Sequence, residues 1–414
     1  MKNFLVHNSE VKSEMLEAIG ANSIEDLFSQ IPEKARMQTL DLPKALSEME
    51  ASRKIKSLAN KNKTDFINFL GGGVYNKFIP ACISQIAQRF EFLTAYTPYQ
   101  AEISQGTLQV MYEFQTMISR LTGMDISNAT VYDGGTASAE AILMARRISK
   151  KTTALVAENL NPEYKKVIET YAWANGIKIE YFKDLPKNTA DYACVLVQTP
   201  DYYGEILEIK PVDTLLIVCT DISTLSILKP PSEYGADIVV GDIQTLGIPM
   251  EFGGPHAGFI ACREKYMRQL PGRLAGRTVD ADGNQAFCLT IQTREQHIKR
   301  EKATSNICSN QALIGLCATV YLSLLGENGF RQAGFLSAKQ AHKLSEKLAA
   351  KGIKTLNTNF FNEFVIEVED SEKVLSNLKE AGILGGIKIS DTRILVAATE
   401  MITDEDIELY VKNI

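Results

Sequence analysis

Five short apolar runs between residues 153 and 263 most constrain how this chain can fold. They read TALVA (153–157), ACVLVQ (193–198), LLIVCTD (215–221), ADIVV (236–240) and GFIACR (258–263). Near-continuous apolar strands are typical of a parallel sheet covered on both faces. A helical pattern at 163–175 and a further strand, KIEYF (178–182), follow the first run. Strands alternating with helices predict an α/β core with a mainly parallel sheet.

Three regions differ in their patterns. Residues 1–63 are polar and predict a helical N-terminal arm, with helices over 9–19, 23–30 and 43–56, the last with Pro43 in its first turn. Residues 64–330 predict the large α/β domain, which adds helices over 104–121, 136–149 and 310–325. Residues 331–414 predict a small α+β domain. Its predicted elements are a helix over 330–351, strands at 363–369 and 394–399, and helices over 371–381 and 403–412.

Composition excludes several classes of protein. The net charge of −6 over 414 residues argues against a chain-wide nucleic-acid footprint. No uninterrupted apolar run approaches the roughly 18–20 residues of a membrane span, and the first residues lack a secretory signal pattern, so a cytoplasmic location is expected. The seven cysteines include no CxxC pair, which favours free thiols. The four histidines show no metal-ligand spacing.

Several polar residues follow directly on the predicted strands. Asp221 ends the run LLIVCTD, and Gln244 lies in the turn after ADIVV. Gly134 and Gly135 open a helix in VYDGGTASAEA, where free N–H groups and the helix dipole favour a phosphate. Strand-end residues of this kind often bind ligands in α/β sheets. The alternatives are local: Asp221 capping the next turn, and Asp133 or Thr136 capping the helix.

Two further segments are rich in polar side chains. The loop FLTAYTPYQAEISQG (92–106) suits contact with a small polar substrate or a subunit interface. Its candidate residues are Tyr96, Tyr99, Gln100, Glu102 and Ser104. The segment QTREQHIKREKATSNICSNQ (292–311) is basic and then polar, and its candidate residues are Thr304, Ser305 and Asn306. The alternative for residues 92–106 is a loop of ordinary polar residues, and the alternative for residues 292–311 is a solvated helix face.

Long motifs give the chain a resemblance to a known family. They are FLGGGVYNKFIP (69–80), FLTAYTPYQAEISQGTLQ (92–109), DGGTASAEA (133–141), GIPMEFGGPHAGF (247–259), PGRLAGRTVDADG (271–283) and IQTREQHIKREKATSNICSNQ (291–311). The chain resembles the glycine cleavage system P-protein family over essentially its whole length. The resemblance implies the pyridoxal-phosphate (PLP)-dependent transferase fold type I, the aspartate-aminotransferase-like fold. One departure is that many relatives carry a histidine where Asn76, Lys77 and Phe78 stand.

The resemblance also implies a division of labour between two chains. The Schiff-base lysine of this fold would stand where Gln244 stands, and an amide cannot form that imine. The chain therefore resembles the non-lysine half, subunit 1 or alpha, of glycine dehydrogenase (decarboxylating), expected as alpha2beta2. PLP would be carried by subunit 2, glycine would lose carbon dioxide there, and the aminomethyl group would pass to the lipoyl arm of H-protein.

Site roles follow from positions in the family motifs. Tyr96, Tyr99, Gln100, Glu102 and Ser104 would complete the substrate side of the partner's active site. Thr304, Ser305 and Asn306 would face the partner's PLP phosphate, and Asp221, Gly134 and Gly135 would be vestigial cofactor positions. Two alternatives stay open: a structural pseudoenzyme that only stabilises subunit 2, and an independent PLP enzyme using another lysine, with Lys229 and Lys265 nearest in sequence to Gln244.

Overall fold

The N-terminal helices begin where their capping residues stand. The computed structural model describes residues 8–37 and 41–414, and these fall into two units that divide between Thr64 and Asp65. In the first unit, α1 (Ser9–Ala18) is capped by Asn8, and a 3₁₀ turn spans Glu25–Phe28. The helix predicted from Pro43 instead begins later, as α2 (Glu48–Ala59). Ser47 and Glu50 form a reciprocal capping box there, and this fixes the start.

The second unit, 65–414, contains the sheets and the remaining helices. The helices are α3 (Ala81–Ala87), α4 (Phe90–Leu93), α5 (Gln105–Thr122), α6 (Gly134–Ser149), α7 (Pro162–Ala174), α8 (Gln296–Lys299), α9 (Ala312–Ala350), α10 (Ser371–Glu380) and α11 (Asp404–Asn413). The strands are β1 (Ile67–Asn68), β2 (Ile126–Ser127), β3 (Thr153–Ala157), β4 (Lys178–Phe182), β5 (Cys194–Gln198), β6 (Leu215–Cys219), β7 (Ile238–Asp242), β8 (Gly258–Cys262), β9 (Leu274–Val279), β10 (Gln285–Thr290), β11 (Lys354–Thr355), β12 (Glu363–Glu367), β13 (Ile383–Leu384), β14 (Ile387–Ser390) and β15 (Arg393–Ala397).

The predicted mainly parallel sheet is confirmed. Its strand order is β2-β8-β7-β6-β5-β3-β4. The pairs from β7 to β4 are parallel, whereas β8 pairs antiparallel with both β7 and β2. One face packs against α6 and α7 and the other against α5 and α9. Both faces are therefore covered, which explains the near-continuous apolar runs.

The long helix α9 is interrupted where the sequence places Gly326. That residue has φ 59° and ψ −170°, so two helical stretches meet there. The prediction of two helices, ending near and starting after Gly326, is confirmed. By length and composition alone α9 could cross a membrane. Leu316, Ala318, Leu344 and Leu348 of α9 are buried in the protein core, so its apolar face is used in packing.

The C-terminal residues form a second, smaller sheet with its own apolar core. A four-stranded antiparallel sheet runs in the order β11-β12-β15-β14 and buries its apolar face against α9, α10 and α11. β1 pairs in parallel with β13, so residues 67–68 join this part of the chain. The boundaries predicted at 63/64 and 330/331 stay predictions. The hairpin β9–β10 is a feature that the sequence reasoning missed.

Candidate functional site

A small cleft lies at the carboxyl ends of β5, β6 and β7. It is lined by Gln244, Asp221, Asp242 and, from elsewhere in the chain, Tyr75 and Glu363. Its free volume is about 40 Å³. Small-molecule sites usually span roughly 300–1,000 Å³. The chain's own side chains and main chain fill the space in which the fold would hold a cofactor.

Gln244 fastens a distant loop across this cleft. Its Oε1 accepts a hydrogen bond from the Tyr75 N–H at 2.9 Å, and its Nε2 donates to the Tyr75 carbonyl at 2.9 Å. Nε2 also donates to the Ile248 carbonyl at 2.9 Å. Gln244 is 1% exposed. The amide that stands in the lysine position thus holds the glycine-rich loop 69–80 over the cleft.

Glu363, the first residue of β12, fastens the same loop from the other side. Its carboxyl accepts hydrogen bonds from the Gly72 N–H at 2.6 Å and from the Tyr75 hydroxyl at 2.9 Å. Burial raises the pKa of Glu363 to about 7. A Cβ on Gly71 would overlap the Glu363 carboxyl, so the close approach of loop and carboxyl requires glycine there.

Lys77 gives the loop a third attachment. Its ammonium donates to Glu400 Oε2 and to the Ser337 hydroxyl, both at 2.8 Å, and the pair is almost completely buried. The other Glu400 oxygen accepts from the Phe78 N–H at 3.0 Å. Burial raises the pKa of Glu400, but Lys77 and these hydrogen bonds outweigh it and the net pKa is lowered. A buried ion pair therefore stands where many relatives are expected to carry histidine.

Asp221 serves as a local cap. It accepts from the Ser223 N–H at 3.0 Å, the Ser223 hydroxyl at 2.8 Å and the Thr245 hydroxyl at 2.8 Å. Both carboxylate oxygens are therefore engaged within the chain, and Asp221 caps the 3₁₀ turn Ile222–Ser226. The geometry of Asp221 is therefore that of a residue that caps the next turn, which was the alternative to a ligand-binding role.

The N-terminus of α6 is occupied in the same way. The Gly134 N–H donates to Asp242 at 3.1 Å, and the Thr136 N–H donates to Asp133 at 2.6 Å. A Cβ on Gly134 would overlap the Tyr164 hydroxyl, and one on Gly135 would lie 3.3 Å from the Tyr164 ring. Burial raises the pKa of Asp242 to about 7. A carboxyl of the chain itself thus occupies the place predicted for a phosphate.

These residues do not fit PLP. The structure brings the strand-end residues Asp221 and Gln244 together with Gly134 and Gly135, which open α6 as predicted. Gln244 cannot form the imine, the polar groups of Asp221 and Gly134 are engaged by the chain, and the free volume of about 40 Å³ is well below the roughly 300–1,000 Å³ of small-molecule sites. Sequence reasoning missed Tyr75, Tyr164, Asp242 and Glu363, although Asp242 follows an apolar strand just as Asp221 does.

The candidate loop 92–106 presents its side chains outward. Tyr96 is 85% exposed, Tyr99 is 47% exposed, and Gln100 and Glu102 are exposed, whereas Ser104 is partly buried. Gln105 fastens the end of this loop, because its amide exchanges hydrogen bonds with the backbone of Phe287 in β10 at 2.8 and 2.9 Å. The loop is thus anchored at its base while its aromatic tips face solvent.

Arg273 joins this loop to the segment 292–311. Its Nη2 donates to the Tyr99 hydroxyl at 3.2 Å and to the Cys308 carbonyl at 2.6 Å, and its Nε lies 3.6 Å from Glu295. The Tyr99 ring packs edge-on against His297, with centroids 5.0 Å apart. Arg273 was missed, although it belongs to the motif PGRLAGRTVDADG. Two predicted groups of site residues therefore border one surface.

The second predicted group lies on this surface with its side chains only partly engaged. The Thr304 N–H donates to the Arg294 carbonyl at 2.9 Å, and Ser305 Oγ accepts from the Ile307 N–H at 3.1 Å. Asn306 is exposed, and its Oδ1 accepts from Gln296 at 3.4 Å. The surface carries hydroxyl and amide groups, which can bind an anionic or zwitterionic ligand, while the Arg273 guanidinium is only 3% exposed.

Comparison with known proteins agrees with this architecture. Residues 2–414 match the family described as Glycine cleavage system P-protein. "Probable glycine dehydrogenase (decarboxylating) subunit 1" of Geobacillus thermodenitrificans (strain NG80-2) is 42% identical, over 100% of this chain and 99% of that protein. The protein of the same name from Carboxydothermus hydrogenoformans (strain ATCC BAA-161 / DSM 6008 / Z-2901) is 44% identical over 98% of each.

A solved structure extends the likeness to three dimensions. "Crystal structure of glycine decarboxylase (P-protein) of the glycine cleavage system, in inhibitor-bound form" superposes with a TM-score of 0.91 and 39% identity over 100% of both chains. Other solved structures at 11–13% identity, including PLP-dependent enzymes of fold type I, share the fold alone. The predicted fold class is confirmed, and the chain belongs to the glycine cleavage system P-protein family.

Proposed function

We propose that this chain is the non-lysine subunit 1 of a two-chain glycine dehydrogenase (decarboxylating). Its relatives bear that name, and "subunit 1" in that name implies a second subunit. The observation that carries the proposal is the closed cleft. Gln244 and Glu363 hold Tyr75 across the chain's own cofactor position, and the free volume left there is about 40 Å³. A chain of this fold that cannot hold PLP itself needs a partner that does.

In this proposal the outward polar surface completes the partner's active site. Tyr96, Tyr99, Gln100, Glu102 and Ser104 supply hydrogen-bonding groups on the substrate side, and Arg273 orients Tyr99 through its guanidinium. Thr304, Ser305 and Asn306 face the phosphate of PLP bound to subunit 2. When bound there, PLP supplies the electron sink for decarboxylation. This chain's residues bind and orient glycine and exclude water.

The finer parts of the proposal come from the family. The aminomethyl group of glycine passes to the lipoyl arm of H-protein, the assembly is alpha2beta2, and the complex is cytoplasmic. A scaffold role is the second candidate, and the same closed cleft favours it. The two candidates differ in whether the polar surface takes part in turnover.

Reconstitution with subunit 2 tests the proposal. PLP absorbance and release of carbon dioxide from glycine would be measured on this chain alone, on subunit 2 alone and on the mixture. We expect this chain alone to show no absorbance band of lysine-bound PLP, and only the mixture to show both the band and decarboxylation. A stable band on this chain alone would overturn the proposal. Decarboxylation by subunit 2 alone, unchanged by mixing, would support the scaffold.

A further inference from the structure

Unpaired buried polar atoms concentrate around one segment of the chain. Within the described residues, seven buried side-chain nitrogen or oxygen atoms lack a hydrogen-bond partner, and five belong to Glu140, Arg147, Arg273 and Glu295. Glu295 lies in the segment 291–308, Arg273 contacts it, and Glu140 and Arg147 lie beneath it. Since buried polar groups in native proteins are nearly always paired, the concentration in one place requires an explanation.

Glu140 is the most isolated member of this group. It lies on α6, is 0% exposed, and within the described chain neither carboxyl oxygen has a hydrogen-bond partner. The Ser305 hydroxyl lies near enough to lower the pKa of Glu140 as a hydrogen-bond donor, and the Arg147 guanidinium also faces it, but neither contact reaches full hydrogen-bond geometry. Burial raises the pKa of Glu140, and these two neighbours partly offset that rise. A small movement of Ser305 would give the carboxyl its partner.

The segment above Glu140 is fixed at Thr304 and at Cys308, and a strained residue precedes it. The Thr304 N–H donates to the Arg294 carbonyl at 2.9 Å, and the Cys308 N–H donates to the Tyr132 hydroxyl at 3.1 Å. Arg300 lies before this stretch with φ 52°, a value that non-glycine residues rarely adopt. Ser305 therefore has firm attachments on both sides, and its hydroxyl, which accepts from the Ile307 N–H at 3.1 Å, still has a proton to donate.

We propose that Glu140 is a positioning residue, whose carboxyl holds the Ser305 hydroxyl in the complex with subunit 2 and thereby fixes Thr304–Asn306 against the partner's PLP phosphate. This inference rests on the proposed function. The basic side chains of Arg300 and Lys302 make the exposed side of the segment attractive to an anion. The phosphate would then bind the exposed side of the segment, and the Ser305 hydroxyl would donate to Glu140 on the buried side. Together these contacts would give the polar groups of the segment hydrogen-bond partners.

The test compares variants at Glu140 in the reconstituted complex. Glu140→Leu keeps the volume and removes the acceptor, whereas Glu140→Gln keeps an acceptor oxygen. The dissociation constant of PLP from the assembled complex would be measured by absorbance, separately from the affinity between the subunits. Glu140→Leu is expected to weaken PLP binding about fivefold, as for loss of one hydrogen bond, and Glu140→Gln less than about twofold. Ser305→Ala should match Glu140→Leu, and the double variant should show no further loss.

A control separates positioning from general stability. Met144→Ala removes a fully buried side chain from the same helix, so it should lower the melting temperature without changing PLP affinity. The inference is overturned if Glu140→Leu leaves PLP affinity unchanged in the assembled fraction, or if Glu140→Gln is as damaging. Should Glu140→Leu fail to fold, unchanged PLP affinity in Ser305→Ala overturns it equally. Failure of the wild-type mixture to decarboxylate glycine would refute the proposed function instead.

Discussion

The cleft around Gln244 and the surface around Arg273 are both rich in polar side chains, but they use them differently. In the cleft, Gln244, Asp221 and Glu363 each have partners from within the chain. At the surface, Tyr96 is 85% exposed, although Arg273 itself is only 3% exposed. Polar groups that are satisfied internally stabilise a fold, whereas exposed polar groups are available to a ligand or a partner.

Lys77→Ala tests the stabilising role of the cleft most strongly. The substitution leaves the buried carboxylate of Glu400 without its ammonium partner, so we expect unfolding free energy to fall by about 3–5 kcal/mol. Urea unfolding of the two proteins measures this. Lys343→Ala, which breaks an ion pair with Asp404 that is 61% exposed, is the matched control and should cost less than about 1 kcal/mol. Equal effects would refute the distinction between buried and exposed pairs.

Gln244→Lys tests why the cleft does not hold PLP: because the chain's own groups fill it, or only because it lacks a lysine. The variant loses the amide that serves Tyr75 and Ile248, so stability should fall by about 2–4 kcal/mol. We expect no absorbance band of lysine-bound PLP, because the volume and the phosphate position stay occupied. Absorbance and borohydride trapping with mass analysis check this. Gln244→Met serves as the control for lost hydrogen bonds, and stoichiometric PLP on Gln244→Lys would show that the cleft can open.

Glu363→Gln tests the protonation of the cleft. The pKa of Glu363 is raised by burial from its ordinary 4.5 to about 7. Its stabilising contribution is therefore complete below pH ~4.5 and is lost as pH rises through about 7, at up to about 1.4 kcal/mol per pH unit. Unfolding free energies measured between pH 5 and 8 should fall less steeply in Glu363→Gln than in the wild type. Asp242, whose pKa is also raised to about 7, is unchanged in this variant, so part of the decrease in unfolding free energy with pH remains. Parallel curves would contradict the raised pKa of Glu363.

Tyr99→Phe tests the outward surface and has the smallest expected effect on free energy. Without the hydroxyl that accepts from Arg273, turnover of the complex with subunit 2 should fall about tenfold, equivalent to ~1.4 kcal/mol, while assembly is unchanged. Steady-state kinetics and sedimentation check the two quantities. Tyr181→Phe, which removes a hydroxyl bonded to Glu169 on the surface, is the control. Weakened assembly with unchanged turnover per complex would favour the scaffold candidate.

Local sequence patterns predicted the elements that have strong periodicity or clear end signals. The apolar runs became β3 and β5–β8, and Gly123 ends α5 in a left-handed conformation. Two local signals were present but missed. Ser47 and Glu50 have capping-box spacing, and the turn at Asp280–Gly283 joins β9 to β10. The hairpin strands carry charged residues such as Arg277, which weakens their apolar pattern.

The sequence by itself determined that this chain belongs to a known fold and that its lysine position holds an amide. The chemistry of an amide side chain is a property of the residue, so no coordinates are needed for that conclusion. The tertiary structure alone decided what the amide does instead. Gln244 bonds to a backbone 169 residues away, and Glu363 meets Tyr75 across 288 residues. Such contacts depend on how strands and loops pack together, so the local sequence pattern around either residue does not predict them.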